Sequence, residues 1–217
     1  GVHHGNKNQF STASTEINDV WNNDRINTVS IVTRHDAHAQ QVIEALKSGK
    51  NVFVEKPLAL TLNELDVIDK AYHEANKSNT VRLMVGFNRR YAPHIVKIKE
   101  LLNSHRSPKS IIMTVNAGAI SGEHWVQNSL IGGGRIVGEG CHFIDLMRHL
   151  IGHKINGFTA TMLGNVPAIE VREDKASITL SFEDGSFGTI HYLANGGSVF
   201  PKERVEVFCD DAVLQMD

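Results

Sequence analysis

Three groups of residues in this sequence have types and spacings suited to chemistry. The first is Glu55-Lys56-Pro57, which follows the apolar residues 52–54 (VFV). In an open α/β sheet, ligands bind at the carboxyl ends of the strands, and a lysine emerging there can bring a positive charge to a reacting oxygen. Taken alone, the same tripeptide is also a solvated ion pair, the commoner fate of a lysine. The second group is Gly132-Gly133-Gly134, leading through Gly138-Glu139-Gly140 to His142 and Asp145. Glycines at this density let backbone approach a ligand, and a spacing of three places His142 and Asp145 on one helix face, where a histidine titrates near neutrality. The bland alternative is a flexible connection followed by a helix with a capping histidine. The third group is residues 86–91 (GFNRRY), where Asn88 and Arg90 are suited to orienting hydroxyls or an anionic group, unless Arg89 and Arg90 merely form a solvated turn. Neither GxGxxG nor a Walker loop occurs anywhere in the chain, so the glycine cluster is not read as a phosphate cradle.

The elements that must position these residues follow from periodicity. Residues 28–33 (TVSIVT) read as a buried strand, with Asp36 capping a helix whose Val42, Ile43 and Leu46 share a face and whose exit is Gly49. Residues 51–54 form the next strand. Thr61-Leu62-Asn63-Glu64 is a capping box opening a helix with Leu65, Ile68 and Tyr72 inward, and residues 82–87 are a third strand. Pro93 suits the first turn of another helix, with Ile95, Ile98 and Leu102 on one face. After about Pro108 the pattern changes to alternating strands. Residues 176–182 and 187–193 form a hairpin across Asp184-Gly185, and a helix around 142–150 carries Phe143, Leu146, Met147 and Leu150 as its stripe. The expected fold is therefore α/β: a truncated Rossmann-type parallel sheet over residues 1–90, lacking its first βαβ unit, and an α+β domain with an open, mainly antiparallel sheet over 91–217, truncated at the C-terminus.

Composition narrows the function classes. With 22 basic and 24 acidic residues the formal charge is −2, which gives no basic stripe for nucleic acid. No apolar run approaches the roughly 20 residues of a membrane span. Two cysteines without a CxxC pair fit a reducing compartment, and a cytoplasmic protein is expected. No metal site is expected: His3-His4 and the His35/His38 pair lack a neighbouring cysteine or an HExxH pattern. The chain has no initiating Met, and its last residues, 212–216, read as a strand, so it is expected to be a piece of a longer protein.

Taken in order, residues 52–60 (VFVEKPLAL), 85–93 (VGFNRRYAP) and 132–146 (GGGRIVGEGCHFIDL) resemble the Gfo/Idh/MocA family of NAD(P)-dependent sugar oxidoreductases. Residues 31–40 (IVTRHDAHAQ) are similar to that family's Thr-Pro-Asn-x-x-His loop, matching at Thr33 and His38 but holding Arg34 and His35 where Pro and Asn are usual. The wording of RHDxHA and GEGCHFID is most similar to bi-domain members, in which this module follows a zinc-type alcohol dehydrogenase module and which associate with surface-polysaccharide metabolism.

The resemblance implies NAD or NADP as cofactor, contacted by Thr33, Arg34, His35, His38, Glu55, Lys56 and Pro57. It also implies a sugar or nucleotide-sugar substrate met by Asn88, Arg90, Trp125 and Glu139, and a homodimer or homotetramer. Trp125 is a stacking wall for a sugar or nicotinamide ring, or a packing residue. The family places an aspartate four residues before its catalytic histidine, and this sequence has Gly138 there. Glu139 or Asp145 supplies the carboxylate, or Lys56 acts with His142 alone.

Removing a hydride from a secondary alcohol requires a base about 3 Å from the hydroxyl, with His142 the first candidate and Lys56 polarising the oxygen or itself shuttling the proton. Two other outcomes compete: an NAD-dependent glycoside hydrolase, and a non-catalytic sugar- or dinucleotide-sensing regulator.

Overall fold

A computed structural model describes residues 2–78 and 80–217. The chain divides into two compact units, residues 1–33 with 37–85 and residues 34–36 with 86–217.

The first unit contains α1 (Val2–Lys7), α2 (Asn18–Trp21), β1 (Thr28–Ile31), α3 (His35–Lys47) apart from its first two residues, β2 (Asn51–Val54), α4 (Leu62–Ser78) and β3 (Leu83–Val85). The strands form a parallel sheet in the order β1-β2-β3. Two right-handed crossovers through helices are how neighbouring parallel strands are normally joined. Val42, Leu46, Val52, Val54 and Ile68 are wholly or almost wholly buried between sheet and helices. Gly49 leaves α3 at φ 68°, a left-handed exit that favours glycine. The capping box forms as read: Thr61 Oγ1 accepts from the Glu64 amide at 3.2 Å and Glu64 Oε2 accepts from the Thr61 amide at 2.9 Å.

Three local expectations are corrected. Residues 28–33 are not a buried strand; β1 ends at Ile31 and only that residue of it is buried, because β1 is an edge of this sheet. Asp36 is not a cap, since α3 already begins at His35; it lies in the first turn, where a carboxylate complements the helix dipole. Leu65 is 40% exposed, and the inward face of α4 is carried by Ile68 with Ala71, Tyr72 and Ala75.

The second unit adds α5 (Pro93–Leu102), β4 (Ser110–Asn116), α6 (Cys141–Ile151), β5 (Ile155–Met162), β6 (Lys175–Phe182), β7 (Phe187–Leu193), β8 (Glu203–Cys209) and β9 (Ala212–Met216). Its six strands run β5-β6-β7-β4-β8-β9, antiparallel except for the central β4/β7 pair. The expected combination of a parallel Rossmann-type sheet and an open, mainly antiparallel one is what the chain folds into.

Alternation along the strands sends Ile111, Met113, Ile190 and Tyr192 to one face, where Ile95, Ile98 and Leu102 of α5 and the stripe of α6 complete a single core. Gly188 of β7 permits the close approach of α6, since a Cβ there would lie 2.5 Å from Met147 Sδ and 2.9 Å from the Ile111 carbonyl. α6 ends at Gly152 (φ 86°), and Lys99 Nζ donates to the Leu150 carbonyl at 3.1 Å, meeting one of the helix's unpaired carbonyls. Among the described residues no helix is long and apolar enough to cross a membrane.

Candidate functional site

In the first unit the candidate residues cluster at the carboxyl ends of β1 and β2. Lys56 is the second residue beyond β2, the middle strand, and is half-buried between Glu55 and the buried Pro57. The Glu55 amide donates to the Ile31 carbonyl at 2.9 Å, extending the β1/β2 ladder to the residue before the lysine. The Lys56–Pro57 peptide bond is cis. His38 ties the two strand-end loops together, its Nδ1 2.7 Å from the Pro57 carbonyl and its Nε2 3.1 Å from the Thr33 carbonyl. Its ring is wholly buried. Thr33 is exposed and donates through Oγ1 to Gln41 at 3.0 Å. These loops present backbone, a hydroxyl and the half-buried Glu55 and Lys56 on the sheet edge that binds dinucleotides in doubly wound folds, a donor set that fits a nicotinamide ring and its ribose.

In the second unit, Arg34, His35 and Trp125 form one cluster. His35 Nδ1 donates to the Gly132 carbonyl at 2.8 Å, and its ring meets Trp125 edge-on at 4.9 Å between centroids. The exposed Arg34 guanidinium lies 5.5 Å from the centre of the same indole. Gly138 lies beneath: a Cβ on it would be 2.9 Å from His35 Cε1. Two of the positions at which this sequence departs from the family pattern, His35 and Gly138, are thus in contact, and the imidazole fills space that a side chain at 138 would need. Gly132 admits no side chain, since a Cβ would fall 2.3 Å from Val126 backbone atoms.

The glycine cluster is not the flexible connection of the bland reading. Residues 128–133 form a tight turn, with the Gly132 and Gly133 amides donating to the Asn128 carbonyl at 2.8 and 3.0 Å. Ile136–Gly140 is then a π-helix that runs into α6. Wide turns of this kind occur mostly as single insertions in helices, often at functional sites. His142 sits in the first turn of α6, 4% exposed, with the Phe87 ring edge-on at 6.1 Å.

Both carboxylates near His142 are committed. Glu139 accepts from Arg135 at 2.9 Å and from the Tyr192 hydroxyl, while Arg135 also donates to the Gly118 and Ala117 carbonyls at 2.5 and 3.0 Å. Burial alone would lift the Glu139 carboxyl, but the Tyr192 and Arg135 hydrogen bonds outweigh it and hold Glu139 below the usual carboxylate range. Burial and the same carboxylate push the Tyr192 phenol far up, so it remains a donor. Asp145 accepts a forked pair from Arg90, through Nε at 2.6 Å and through Nη2.

Glu139, Arg90 and Asp145 are thus engaged in ion pairs, Glu139 with Arg135 and Asp145 with Arg90. Arg89 makes a second fork with Glu203 and lies 4.6 Å from the centre of the Phe143 ring. These two forks pin the 3-10 turn Asn88–Tyr91 to β8 and α6, so it is no solvated turn, and Asn88 is left exposed at its head. Sequence reasoning missed Arg135, Tyr192 and Glu203. A signal existed for the first, which stands four residues before Glu139 on a helical spacing.

Comparison with known proteins places these arrangements. Residues 96–215 match the GFO/IDH/MocA C-terminal domain, and residues 5–87 match the oxidoreductase family's NAD-binding Rossmann fold. The chain belongs to the GFO/IDH/MocA oxidoreductase family.

It is 28% identical over 205 residues to the uncharacterized oxidoreductase YrbE of Bacillus subtilis, covering 92% of this chain and 58% of that protein. It is 32% identical over 171 residues to the scyllo-inositol 2-dehydrogenase (NAD(+)) of the same organism, covering 76% and 48%. Levoglucosan dehydrogenase of Pseudarthrobacter phenanthrenivorans is 27% identical over 214 residues, 95% and 50% covered. The chain thus spans about half the length of the curated relatives it matches.

Among solved structures, an oxidoreductase domain protein from Kribbella flavida superposes with TM-score 0.84 at 23% identity, covering all of this chain and 62% of that one. Levoglucosan dehydrogenase in complex with NADH and levoglucosan superposes at 0.80 and 21%, covering 96% and 58%. At such identities the superpositions establish the fold.

Proposed function

We propose that the protein containing this chain is a nicotinamide-dependent dehydrogenase acting on a CH–OH group of a sugar or cyclic polyol, with Lys56 and His142 as its catalytic side chains. The observation that carries this reading is Lys56 itself: a half-buried lysine at the carboxyl end of the middle parallel strand, in a chain of the GFO/IDH/MocA family. Relatives named for oxidation of inositols and levoglucosan support the substrate class.

A bound nicotinamide would supply the hydride acceptor. Thr33, Glu55 and Lys56 would hold it, with His38 keeping their loops in register. Lys56 stabilises the negative charge that develops on the substrate oxygen, and His142 accepts the hydroxyl proton. The exposed Asn88 carboxamide orients a neighbouring hydroxyl, and Trp125 offers an aromatic face to the sugar ring. The protein works in the cytoplasm, where Cys141 and Cys209 stay reduced.

Self-association follows the outer face of the six-stranded sheet. Register places Phe187, Ser110, Phe208 and Val213 side by side across β7, β4, β8 and β9, and the three apolar members are 51%, 39% and 55% exposed. Such a band is a reason for copies of the chain to pair as a homodimer or homotetramer.

The test uses the protein as the cell makes it, with a panel of inositols, free sugars and nucleotide-linked sugars and absorbance of the reduced nicotinamide as readout. Lys56→Ala is expected to keep dinucleotide binding while kcat falls by at least ~10²-fold, the usual worth of such a group. Unchanged turnover on the cognate substrate removes Lys56 from the mechanism. His142→Asn is expected to flatten the neutral limb of the pH–rate profile, and an unshifted profile excludes it as the base.

A further inference from the structure

In the second unit, the segment following α5 meets the turn between β8 and β9. His105, Cys209 and Asp210 converge there, and their donor atoms all lie within 4.8 Å of one another. His105 Nδ1 is 3.1 Å from Asp210 Oδ2, and Cys209 Sγ is 3.7 Å from that same oxygen. The backbone holds each of them independently. The His105 amide donates to the Leu102 carbonyl at 3.0 Å, Cys209 closes β8 opposite Ala212, and Asp210 (φ 46°) and Asp211 (φ 62°) make a two-residue turn of the type that joins twisted strands. Cys209 is 7% exposed, yet its sulfur is turned toward polar atoms, Asp210 Oδ2 and the Ser107 carbonyl at 3.8 Å.

We propose that His105, Cys209 and Asp210 form a binding site for a borderline-soft divalent cation of the zinc class, with a fourth, solvent-filled position. The two separations that involve Asp210 Oδ2 are compatible with such a cation. Zinc bonds of about 2.3 Å to sulfur and about 2.0–2.1 Å to nitrogen and oxygen, at tetrahedral angles, put nitrogen and oxygen about 3.3 Å apart and sulfur and oxygen about 3.5 Å apart. The observed contacts of 3.1 and 3.7 Å each lie within about 0.2 Å of those separations. A mixed imidazole, thiolate and carboxylate set selects zinc over the hard cations, which prefer oxygen alone. Bound there, the cation staples the α5–β4 connection to the β8–β9 turn.

The experiment adds Co2+ and, separately, Zn2+ to the metal-stripped, reduced protein. One equivalent of Co2+ is expected to raise thiolate-to-cobalt charge-transfer absorption in the near ultraviolet, and Zn2+ is expected to quench it by displacement. Cys141→Ser is expected to keep the band and Cys209→Ser to abolish it. His105→Ala, at a partly exposed loop residue, is expected to weaken Zn2+ binding more than ~10-fold. Zn2+ is also expected to raise the melting temperature of the unaltered protein and not that of His105→Ala. The proposal is overturned by absence of the charge-transfer band, by a band that survives Cys209→Ser, or by Zn2+ binding indifferent to His105→Ala. None of these readouts depends on the dehydrogenase activity.

Discussion

Gly138→Ala probes the contact on which the divergence of this chain from its family rests. Within a helix, exchanging glycine for alanine ordinarily stabilises by about 0.5–1 kcal/mol through backbone entropy. Here the new methyl would lie 2.9 Å from His35 Cε1 and 3.4 Å from its Nδ1, closer than a relaxed contact. The ring cannot simply swing away, because the 2.8 Å bond to Gly132 and the edge contact with Trp125 both fix it. Overpacking of that kind costs about 1–3 kcal/mol, so the net effect on the unaltered background is neutral to about 2 kcal/mol destabilising.

With His35→Ala in place, the nearest remaining atom is the Gly132 carbonyl at 3.5 Å, an ordinary contact, and the same change becomes stabilising by about 0.5–1 kcal/mol. The coupling expected from the double-mutant cycle is therefore about 1–3 kcal/mol. Urea unfolding followed by Trp125 fluorescence in a Trp21→Phe background measures it where it arises. If Gly138→Ala moves the midpoint equally with and without His35, the steric account of the missing family aspartate is wrong.

Gly188→Ala is expected to cost about 1–3 kcal/mol, because its methyl would meet the Ile111 carbonyl of the paired strand at 2.9 Å as well as Met147, and calorimetry reads the loss. Thr61→Ala is expected to lower stability by about 1 kcal/mol by leaving the Glu64 amide without its cap; no shift in the unfolding midpoint would show the box contributes nothing. Glu139→Gln strips the buried Arg135 of its counterion and is expected to cost about 3 kcal/mol near neutrality. Since the folded Glu139 carboxyl is held below its ordinary value of 4.5, its contribution is full above that pH and is lost as pH falls through the lower folded value. The stability gap between Glu139→Gln and the unaltered protein should accordingly close on acidification, and a gap independent of pH would contradict the pairing.

Sequence periodicity located the elements well wherever one face is buried against a partner within the same unit. The α6 stripe, the β6/β7 hairpin and the capping box at Thr61 are local patterns with local causes. It failed where burial depends on neighbours that periodicity does not reveal. Residues 28–33 look like a buried strand from composition, yet β1 is an edge here and only Ile31 is covered. Leu65 fits the helical stripe of α4 but lies beyond the reach of the sheet, at 40% exposure.

The site residues divide in the same way. The place of Lys56 was legible because a strand end is a local property. The partners of Arg90 and Glu139 were not, because Asp145 lies 55 residues and Tyr192 lies 53 residues away and the fold alone brings them together. The π-helix at Ile136–Gly140 was illegible for another reason: glycines at 138 and 140 read as flexibility, whereas their use is close packing under the His35 ring and Ile136.

The committed carboxylates bear on the proton-transfer alternatives left open by Gly138. A carboxylate that accepts a substrate proton must be able to exchange its present donors for that proton. Glu139 would have to give up both Arg135 and the Tyr192 hydroxyl, and those interactions hold it ionised, the opposite of the poise a general base requires. Asp145 would have to release both arms of Arg90, and the same guanidinium anchors the turn that carries Asn88. Either change spends a structural ion pair to perform a task open to a neutral imidazole. The proposed mechanism therefore rests on His142 and Lys56 without a carboxylate relay. It follows that Asp145→Asn, although it borders His142 in sequence, should alter stability and substrate affinity through the Asn88 turn while leaving the shape of the pH–rate profile unchanged; a shifted profile would restore Asp145 to the chemistry.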